Sequence, residues 1–296
     1  MLNSRKSREC AHIELHTSSH VSCVAFQQYV TVKSYRVAVL SKSVSLEDAS
    51  VIPLAFATAA AGLYAKETLN LPFPTLGVPS HHSETSVKPT LLIWGESQTG
   101  SSSVGAMAIQ LAVASGFSVA TTCSPRNFEF VKFLGAKWAV DYSDAEAVKK
   151  DLSSILEANS LVGGFDAAGF GDSTSKCAIA LGSICDQTKK SDTKDLLLCT
   201  VLPFQLKDLP AGVRQAGWAS SGGIFGDIDP GNEHFLRIRQ AVWGEFVPKG
   251  LASGAFKPAP PVLRGGNGLE EVQKAMDRWG QGVSAQKITV KVSDDQ

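Results

Sequence analysis

Residues 90–116, TLLIWGESQTGSSSVGAMAIQLAVASG, decide the fold because they contain three elements in succession. The apolar run LLIW at 91–94, followed by Gly95, is typical of a strand in a covered parallel sheet. Beyond a glycine-rich turn, apolar residues recur at helical spacing as far as Gly116, a predicted helix C-cap. A strand, a glycine-rich turn and a helix in this order predict a phosphate-binding turn.

The turn offers groups that suit a pyrophosphate. Its glycines let the backbone approach the phosphates, and its serines offer hydroxyls and amides at a helix N-terminus, where partial positive charge attracts anions. The candidate cofactor-binding residues of the turn are Gly100, Ser101, Ser102, Ser103, Val104 and Gly105. The glycine spacing differs from G-x-G-x-x-G, and no Gly-Lys-Ser/Thr sequence makes a P-loop. Taken alone, the turn is equally compatible with an ordinary Ser/Gly loop.

A second strand is predicted at residues 118–123 (SVATTC), and the residues after it bear on the choice of cofactor. NAD-binding units place an acid at this point, where it binds the 2′-hydroxyl of the adenosine ribose. This sequence instead has Ser124, Pro125, Arg126 and Asn127, with proline near the start of a helix. Their donors and single fixed positive charge suit a 2′-phosphate. We therefore predict that the cofactor is NADPH.

Strands and helices continue to alternate along the chain. Further strands are expected at residues 139–142, 165–166, 196–202 and 219–226 (ASSGGIFG), with helices between them. This alternation predicts an α/β fold with a doubly wound parallel sheet, the Rossmann arrangement. Ligands bind at the carboxyl ends of such strands, so the nicotinamide end is expected beside Thr200, Val201 and Leu202. Asp166 is expected to cap its own turn rather than to take part in chemistry.

Composition narrows the class of protein. The 296 residues are 44% hydrophobic, enough for a sizeable core, and 28 basic residues balance 28 acidic ones. This neutral balance argues against a nucleic-acid or anionic-membrane partner. Six cysteines are scattered without CxxC spacing, and no run of 18 apolar residues occurs. We predict a reduced, cytoplasmic, monomeric protein.

Five motifs carry a resemblance to a known family. They are LLIWG, SSSVG, AIQLAVASGF, TTCSPRNFEFVKFLGA and VDYSD. They resemble the cofactor domain of the medium-chain dehydrogenase/reductase superfamily, and most of all its zinc-independent fungal branch of trans-acting enoyl reductases and TOXD-like proteins. The resemblance runs from about Ala25 to the C-terminus. One departure is an apparent insertion of Glu96, Ser97 and Gln98 before the GSSSVG turn.

The resemblance implies roles for further residues. Tyr142 would contact the cofactor, as would Val283 and Ser284, which open the segment VSAQK in place of the family's Val-Ser-Gly-Glu-Lys. Thr58 falls where relatives place residues that line the substrate site, and its hydroxyl or a water could deliver a proton. The alternatives are an edge aromatic for Tyr142, close helix packing for Thr58 and a solvated strand-end charge for Lys287. No zinc is expected, because the family's zinc ligands come from a region without a counterpart here.

The resemblance also implies a division into domains. Residues 57–256 would form the NADP(H)-binding Rossmann domain, and residues 25–56 and 257–296 a remnant of the small, β-rich, GroES-like substrate domain. Residues 1–24 are polar and serine-rich, and they are expected to be a disordered leader. Most of the family's first domain has no counterpart, so this second domain is expected to be truncated.

These features together predict an NADPH-dependent reductase that transfers a hydride to an activated C=C bond of an enoyl thioester or enone. The expected partners are a small-molecule or carrier-bound enoyl substrate and a polyketide synthase, in fungal polyketide or toxin biosynthesis. Two alternatives stay open. The chain could be an inert NADPH-binding relic or binding module that has lost its catalytic half, or it could be a quinone reductase or a zinc-independent, alcohol dehydrogenase-like oxidoreductase.

Overall fold

A computed structural model describes residues 10–12, 31–77, 89–95, 101–156, 161–169, 172–188, 195–225 and 233–292. Its centre is a six-stranded, wholly parallel sheet, in which the strand at residues 90–94 lies between those at 118–122 and 161–166. These strands are β3 (Thr90–Trp94), β4 (Ser118–Thr122), β5 (Trp138–Val140), β6 (Leu161–Asp166), β7 (Leu196–Thr200) and β8 (Val213–Trp218). The predicted doubly wound α/β fold is confirmed.

Helices cover both faces of this sheet. The helices between its strands are α3 (Ser101–Ala114), α4 (Phe128–Phe133), α5 (Ala145–Leu156) and α6 (Ser173–Thr188). Because every residue of β3 and β4 is buried, these two strands read as continuous apolar or small-residue runs rather than as alternating ones. Chain order reverses between β3 and β6, which places the ligand crevice of an open α/β sheet at the carboxyl ends of these strands.

The last strand of the sheet lies earlier than the sequence suggested. Residues 219–226 were expected to form it, but the structure places β8 at Val213–Trp218 and a short helix, α7, at Ser221–Phe225. β8 is an edge strand in which only Val213 is buried, so it lacks the apolar run that marks the central strands. The prediction for residues 219–226 was wrong.

A small-residue helix, α2 (Pro53–Tyr64), packs beside α3 and α7 on the same face of the sheet, after a one-turn helix, α1 (Leu46–Ala49). The close approach of α2 to β6 depends on Gly62, because an added Cβ there would lie 2.5 Å from the Phe165 ring. The Tyr64 hydroxyl is buried and bonds to Leu111 O (3.2 Å) and Ser115 Oγ (2.9 Å). The stretch Leu46–Tyr64 is long and apolar enough to cross a membrane, yet 67% of its apolar window is buried inside the protein, as in a core helix.

The C-terminal part of the chain forms a separate two-stranded unit. Before it come α8 (Glu233–Ile238), the π-helix Arg239–Phe246 and α9 (Val247–Ser253). In the unit itself, β9 (Val262–Asn267) pairs in parallel with β10 (Lys287–Lys291), and α10 (Val272–Gly280) contacts both strands. Two hydrogen bonds hold the segment before this unit against α3. Gln110 Oε1 accepts from Lys257 N (2.8 Å), and Gln110 Nε2 donates to Lys257 O (3.1 Å).

Near the other end of the chain, β1 (Cys10–His12) pairs antiparallel with β2 (Val37–Val39). β1 falls within the segment expected to be a leader, the rest of which lies outside the described residues.

Candidate active site and cofactor crevice

The crevice begins where β3 and β4 end side by side. Gly95 N–H donates to Thr122 Oγ1 (3.1 Å), and the Thr122 hydroxyl lies at the same distance from Gly95 O. A Cβ on Gly95 would lie 3.0 Å from Thr122 O, a tight contact that favours glycine at this seam. Thr122 was not predicted as a site residue, although its position at the end of the second strand could have suggested it.

The predicted phosphate-binding turn leads into α3, which begins at Ser101. Gly100, the insertion at residues 96–98 and the side chains of Ser101 and Ser102 lie outside the described residues. Ser103 is buried, Val104 is half-buried, and an added Cβ on Gly105 would meet Ala167 at an ordinary contact distance of 3.7 Å. The helix N-terminus therefore lies directly beside the carboxyl end of β6, and a helix N-terminus is a suitable binding site for a phosphate.

The segment after β4 meets two residues that are distant in sequence. Ser124 Oγ lies 3.3 Å from Tyr142 OH, and Asn127 Nδ2 donates to Ser284 Oγ (3.3 Å). Arg126 and Pro125 lie between them in a 3₁₀ turn, with exposed side chains. The structure thus brings together residues that the sequence assigned to the cofactor from three separate segments.

A cavity of about 40 Å³ lies against this segment, and Thr122, Cys123, Asn127 and Ala285 are among its lining residues. Burial, and to a smaller extent the charge of Asp141, raises the pKa of the Cys123 thiol to about 12. Ala285 has a φ of 47°, in the left-handed region, at the position where the resembling motif has glycine. Ala285 was not predicted as a site residue. The sequence signal that could have identified Ala285 is that alanine stands where the resembling motif has glycine.

Asp166, at the end of β6, is fully buried and accepts four hydrogen bonds. The backbone N–H groups of Ala168 (3.0 Å) and Gly169 (3.1 Å) donate to Oδ1, and the hydroxyls of Ser173 (3.0 Å) and Thr174 (2.6 Å) donate to Oδ2. The prediction that Asp166 caps its own turn is confirmed. Its carboxylate holds the β6 end of the crevice in shape.

The residues expected near the nicotinamide lie at the same sheet edge. Thr200 is fully buried at the end of β7, and Val201 N–H donates to Asp166 O (3.2 Å). Leu202 is 37% exposed at the rim. Thr200, Val201 and Leu202 therefore lie close to the turn after β6. This is the position expected for the wall of a crevice where the strand order reverses.

A larger cleft of about 500 Å³ lies between α2, the start of α3 and the C-terminal unit. Its lining is mostly apolar and includes Leu54, Thr58, Ser103, Val104, Met276, Trp279 and Lys287. The Thr58 hydroxyl is half-buried and donates to Leu54 O (3.0 Å). Thr58 therefore lines this cleft, and its role at a substrate site stays a prediction. Val283 lies half-buried just before Ser284, in the segment that connects this cleft to the smaller cavity.

The alternative considered for Lys287 was a solvated charge at the end of a strand, and the structure shows a different environment. Lys287 is half-buried beside the apolar cleft, and this burial lowers the pKa of its ammonium. Met276 and Trp279 were not predicted as lining residues; exposed apolar side chains on the otherwise polar helix α10 were the signal for them. Within the described ranges, no cluster of three or more His, Cys, Asp or Glu residues could hold a metal ion.

A parallel doubly wound sheet, a helix N-terminus at the strand switch and a cluster of polar side chains after β4 together define a dinucleotide-binding protein. No protein-family model matches the chain. Over 288 residues it is 37% identical to the trans-enoyl reductase himH of Aspergillus japonicus, covering 97% of this chain and 74% of that protein. It is 36% identical over 270 residues to dehydrogenase orf1 of Aspergillus niger, covering 90% and 69%.

Solved structures show the same fold. The CurK enoyl reductase superposes with a TM-score of 0.61 at 15% identity, over 88% of this chain and 67% of that one. A mycobacterial protein solved in complex with NADPH superposes with a TM-score of 0.53 at 16% identity, over 87% and 68%. The chain belongs to the medium-chain dehydrogenase/reductase superfamily, whose members are nicotinamide-dependent oxidoreductases. Enoyl reductases and dehydrogenases are its relatives.

Proposed function

We propose that this protein is an NADPH-dependent reductase that transfers a hydride to the activated C=C bond of an enoyl thioester or enone. The observation that carries the proposal is the juxtaposition of two sites. The polar cluster of Ser124, Asn127, Tyr142 and Ser284 adjoins the small cavity, which reaches Gly105 near the start of α3, and the apolar cleft begins at Ser103 and Val104 of the same helix. One extended dinucleotide can therefore reach from a polar anchor to an apolar reaction chamber.

The choice of NADPH rests on the residues after β4. Residues 123–127 (CSPRN) contain no acid that would favour a ribose 2′-hydroxyl. The exposed Arg126 offers a guanidinium that can pair with a 2′-phosphate, and Ser124 and Asn127 add neutral polar groups. NADPH bound there supplies the hydride.

The apolar cleft suits the reduction of a conjugated acyl group. Its mostly apolar lining favours an alkyl or alkenyl chain over a charged metabolite. Thr58 is the hydroxyl on its α2 wall, and it is bonded to Leu54 O, so its oxygen lone pairs are directed away from that carbonyl. We assign Thr58 the role of accepting a hydrogen bond from a water that protonates the α-carbon.

The name of one relative, trans-enoyl reductase, supports a carrier-bound enoyl substrate delivered by a polyketide synthase. Because nothing in the charge balance favours nucleic acid or anionic membrane, we propose no partner of either kind. A cytoplasmic location and a monomeric state stay predictions from the sequence.

The test combines binding and turnover. Purified protein is mixed with NADPH and an α,β-unsaturated thioester of N-acetylcysteamine, and loss of the reduced-nicotinamide absorbance is followed while mass spectrometry looks for a product heavier by two hydrogens. We expect both signals. At one hundred times its dissociation constant, NADPH should also stabilise the fold by about 2.7 kcal/mol, which raises Tm.

Other outcomes separate the alternatives. Stabilisation by NADPH without turnover of thioesters, enones or quinones would identify an inert binding protein, and turnover of quinones alone would identify a quinone reductase. Absence of any stabilisation at millimolar NADPH would refute the proposal.

A further inference from the structure

Lys287 stands out among the lysines of the described residues by its surroundings. It is the first residue of β10, where its backbone N–H donates to Pro261 O (3.0 Å), so its Cα is held in place. Its half-buried side chain lines the apolar cleft of about 500 Å³. Desolvation is the cause of its lowered pKa, and within the described residues no carboxylate pairs with its ammonium. A larger share of this amine is therefore neutral than of a solvated lysine.

Lys274 provides an internal comparison on the neighbouring helix α10. Its Nζ lies 2.6 Å from Glu271 Oε1, and its side chain is 71% exposed. The hydrogen bond and charge of Glu271 raise the pKa of Lys274, so its amine stays protonated. The two lysines belong to the same C-terminal unit, yet only Lys287 adjoins the cleft.

We propose that Lys287 is a self-acylation site for acyl thioesters whose hydrocarbon chains bind in the apolar cleft. The Nζ lone pair attacks the thioester carbonyl carbon, the carbon–sulfur bond breaks, and the nitrogen loses a proton that leaves with the thiolate as free thiol. The products are an amide at Lys287 and one thiol, so no oxidant, reductant or further reactant takes part.

The cleft makes this reaction selective. Leu54, Met276 and Trp279 present 48%, 57% and 61% of their surfaces to solvent, so an apolar chain can cover them without a rearrangement of the core. A chain bound there places its thioester in the same cleft as the Lys287 amine, which raises the effective concentration of the two groups. The amide would occupy the cleft and compete with substrate. The inference rests on the proposed function only for the choice of a thioester as the ligand.

The experiment uses saturated thioesters and no NADPH, so that neither reduction nor cofactor binding affects the result. The full-length protein is incubated separately with octanoyl and acetyl thioesters of N-acetylcysteamine, and acylated lysines are quantified by peptide mass spectrometry over time. We expect octanoylation of Lys287 to exceed that of Lys274 severalfold. We also expect the octanoyl group to exceed the acetyl group at Lys287 by about tenfold, because the burial of two of its extra methylenes accounts for that factor. At Lys274 the two thioesters should react alike.

Two variants control the assignment. Met276→Gln places a polar but uncharged side chain on the cleft wall at an exposed position, and it should reduce the octanoyl preference while leaving acetylation of Lys287 unchanged. Lys287→Arg should remove this adduct and leave labelling of Lys274 as before. Equal labelling of Lys287 and Lys274, or equal labelling of Lys287 by octanoyl and acetyl thioesters, would overturn the proposal. Acylation without any enoyl reduction would leave it standing and refute the proposed function alone.

Discussion

Asn127 and Ser284 are 157 residues apart in sequence and are joined by a hydrogen bond of 3.3 Å from Asn127 Nδ2 to Ser284 Oγ. Asn127 belongs to the turn after β4, whereas Ser284 precedes β10. Ala285, the next residue, lines the same small cavity as Asn127. The part of the crevice for which we propose adenosine binding is therefore completed by the C-terminal segment, and changes in that segment should affect both stability and cofactor binding.

Ala285→Gly should stabilise the protein. Ala285 has a φ of 47°, and a Cβ in this left-handed region destabilises the folded state by roughly 1 to 2 kcal/mol. Glycine removes this strain, but it loses more conformational entropy than alanine on folding, which costs roughly 0.5 to 1 kcal/mol. We expect a gain of about 0.5 to 1 kcal/mol in the free energy of unfolding, measured by urea denaturation. Ala252→Gly on the exposed face of α9 is the control and should lose about 1 kcal/mol. A loss in both variants would contradict the strain at residue 285.

Asp166→Ala should be strongly destabilising. The change leaves two backbone N–H groups and two hydroxyls without their buried acceptor, and we expect a loss of about 3 kcal/mol or more in the free energy of unfolding. Asp166→Asn should cost less, because its remaining oxygen can serve the two N–H groups and the hydroxyls of Ser173 and Thr174 can rotate to accept. Thermal unfolding of both variants tests this order. A cost for alanine no larger than that for asparagine would show that the four bonds contribute little.

Arg126→Ala should weaken NADPH binding selectively. A charge-assisted contact with the 2′-phosphate predicts that the wild type prefers NADPH over NADH by about tenfold to a hundredfold, less as salt rises, because Arg126 is exposed. The variant should lose most of this preference, with the Kd for NADH nearly unchanged, as measured by calorimetry. Lys132→Ala is the matched control, since Lys132 is a nearby cation that pairs with Glu129 (3.5 Å). Weakening of both cofactors alike would mean that Arg126 does not contact the 2′-phosphate.

Cys123 should resist alkylation in the folded protein. Since burial raises its pKa to about 12, only about one thiol in ten thousand is ionised at pH 8, and iodoacetamide reacts with the thiolate. Labelling followed by peptide mass spectrometry should show slow modification that accelerates as pH rises from 8 to 10 and becomes fast on denaturation. Because the folded thiol keeps a proton that the unfolded thiol loses above about pH 9, stability should fall between about pH 9 and 12. Fast labelling of Cys123 at pH 8 would contradict its burial.

The strand at Thr90–Trp94 and the helix at Ser101–Ala114 could be predicted, because the strand is buried on both faces of the sheet and the helix has apolar residues at helical spacing. The approach of Ser124 to Tyr142 followed from topology alone. Both residues come just after adjacent parallel strands, β4 and β5, whose carboxyl ends meet at one edge of the sheet.

Other features were beyond the sequence because they depend on tertiary contacts. The edge strand β8 has one buried residue, so its pattern resembles a loop, whereas the apolar residues of the following segment belong to a helix. The cleft needs α2, α3 and α10 together, and only the folded chain shows that Met276 and Trp279 face α2 across it. The left-handed φ of Ala285 likewise follows from the turn before β10.

The Asn127–Ser284 hydrogen bond also has a consequence for synthesis on the ribosome. All six strands of the central sheet are encoded before residue 219, so the sheet can assemble while the last part of the chain is still being translated. The crevice cannot, because its wall at residues 284–285 emerges near the end of translation. A premature stop codon between residues 219 and 284 would therefore give a chain with all six sheet strands but without the Ser284 and Ala285 wall of the crevice.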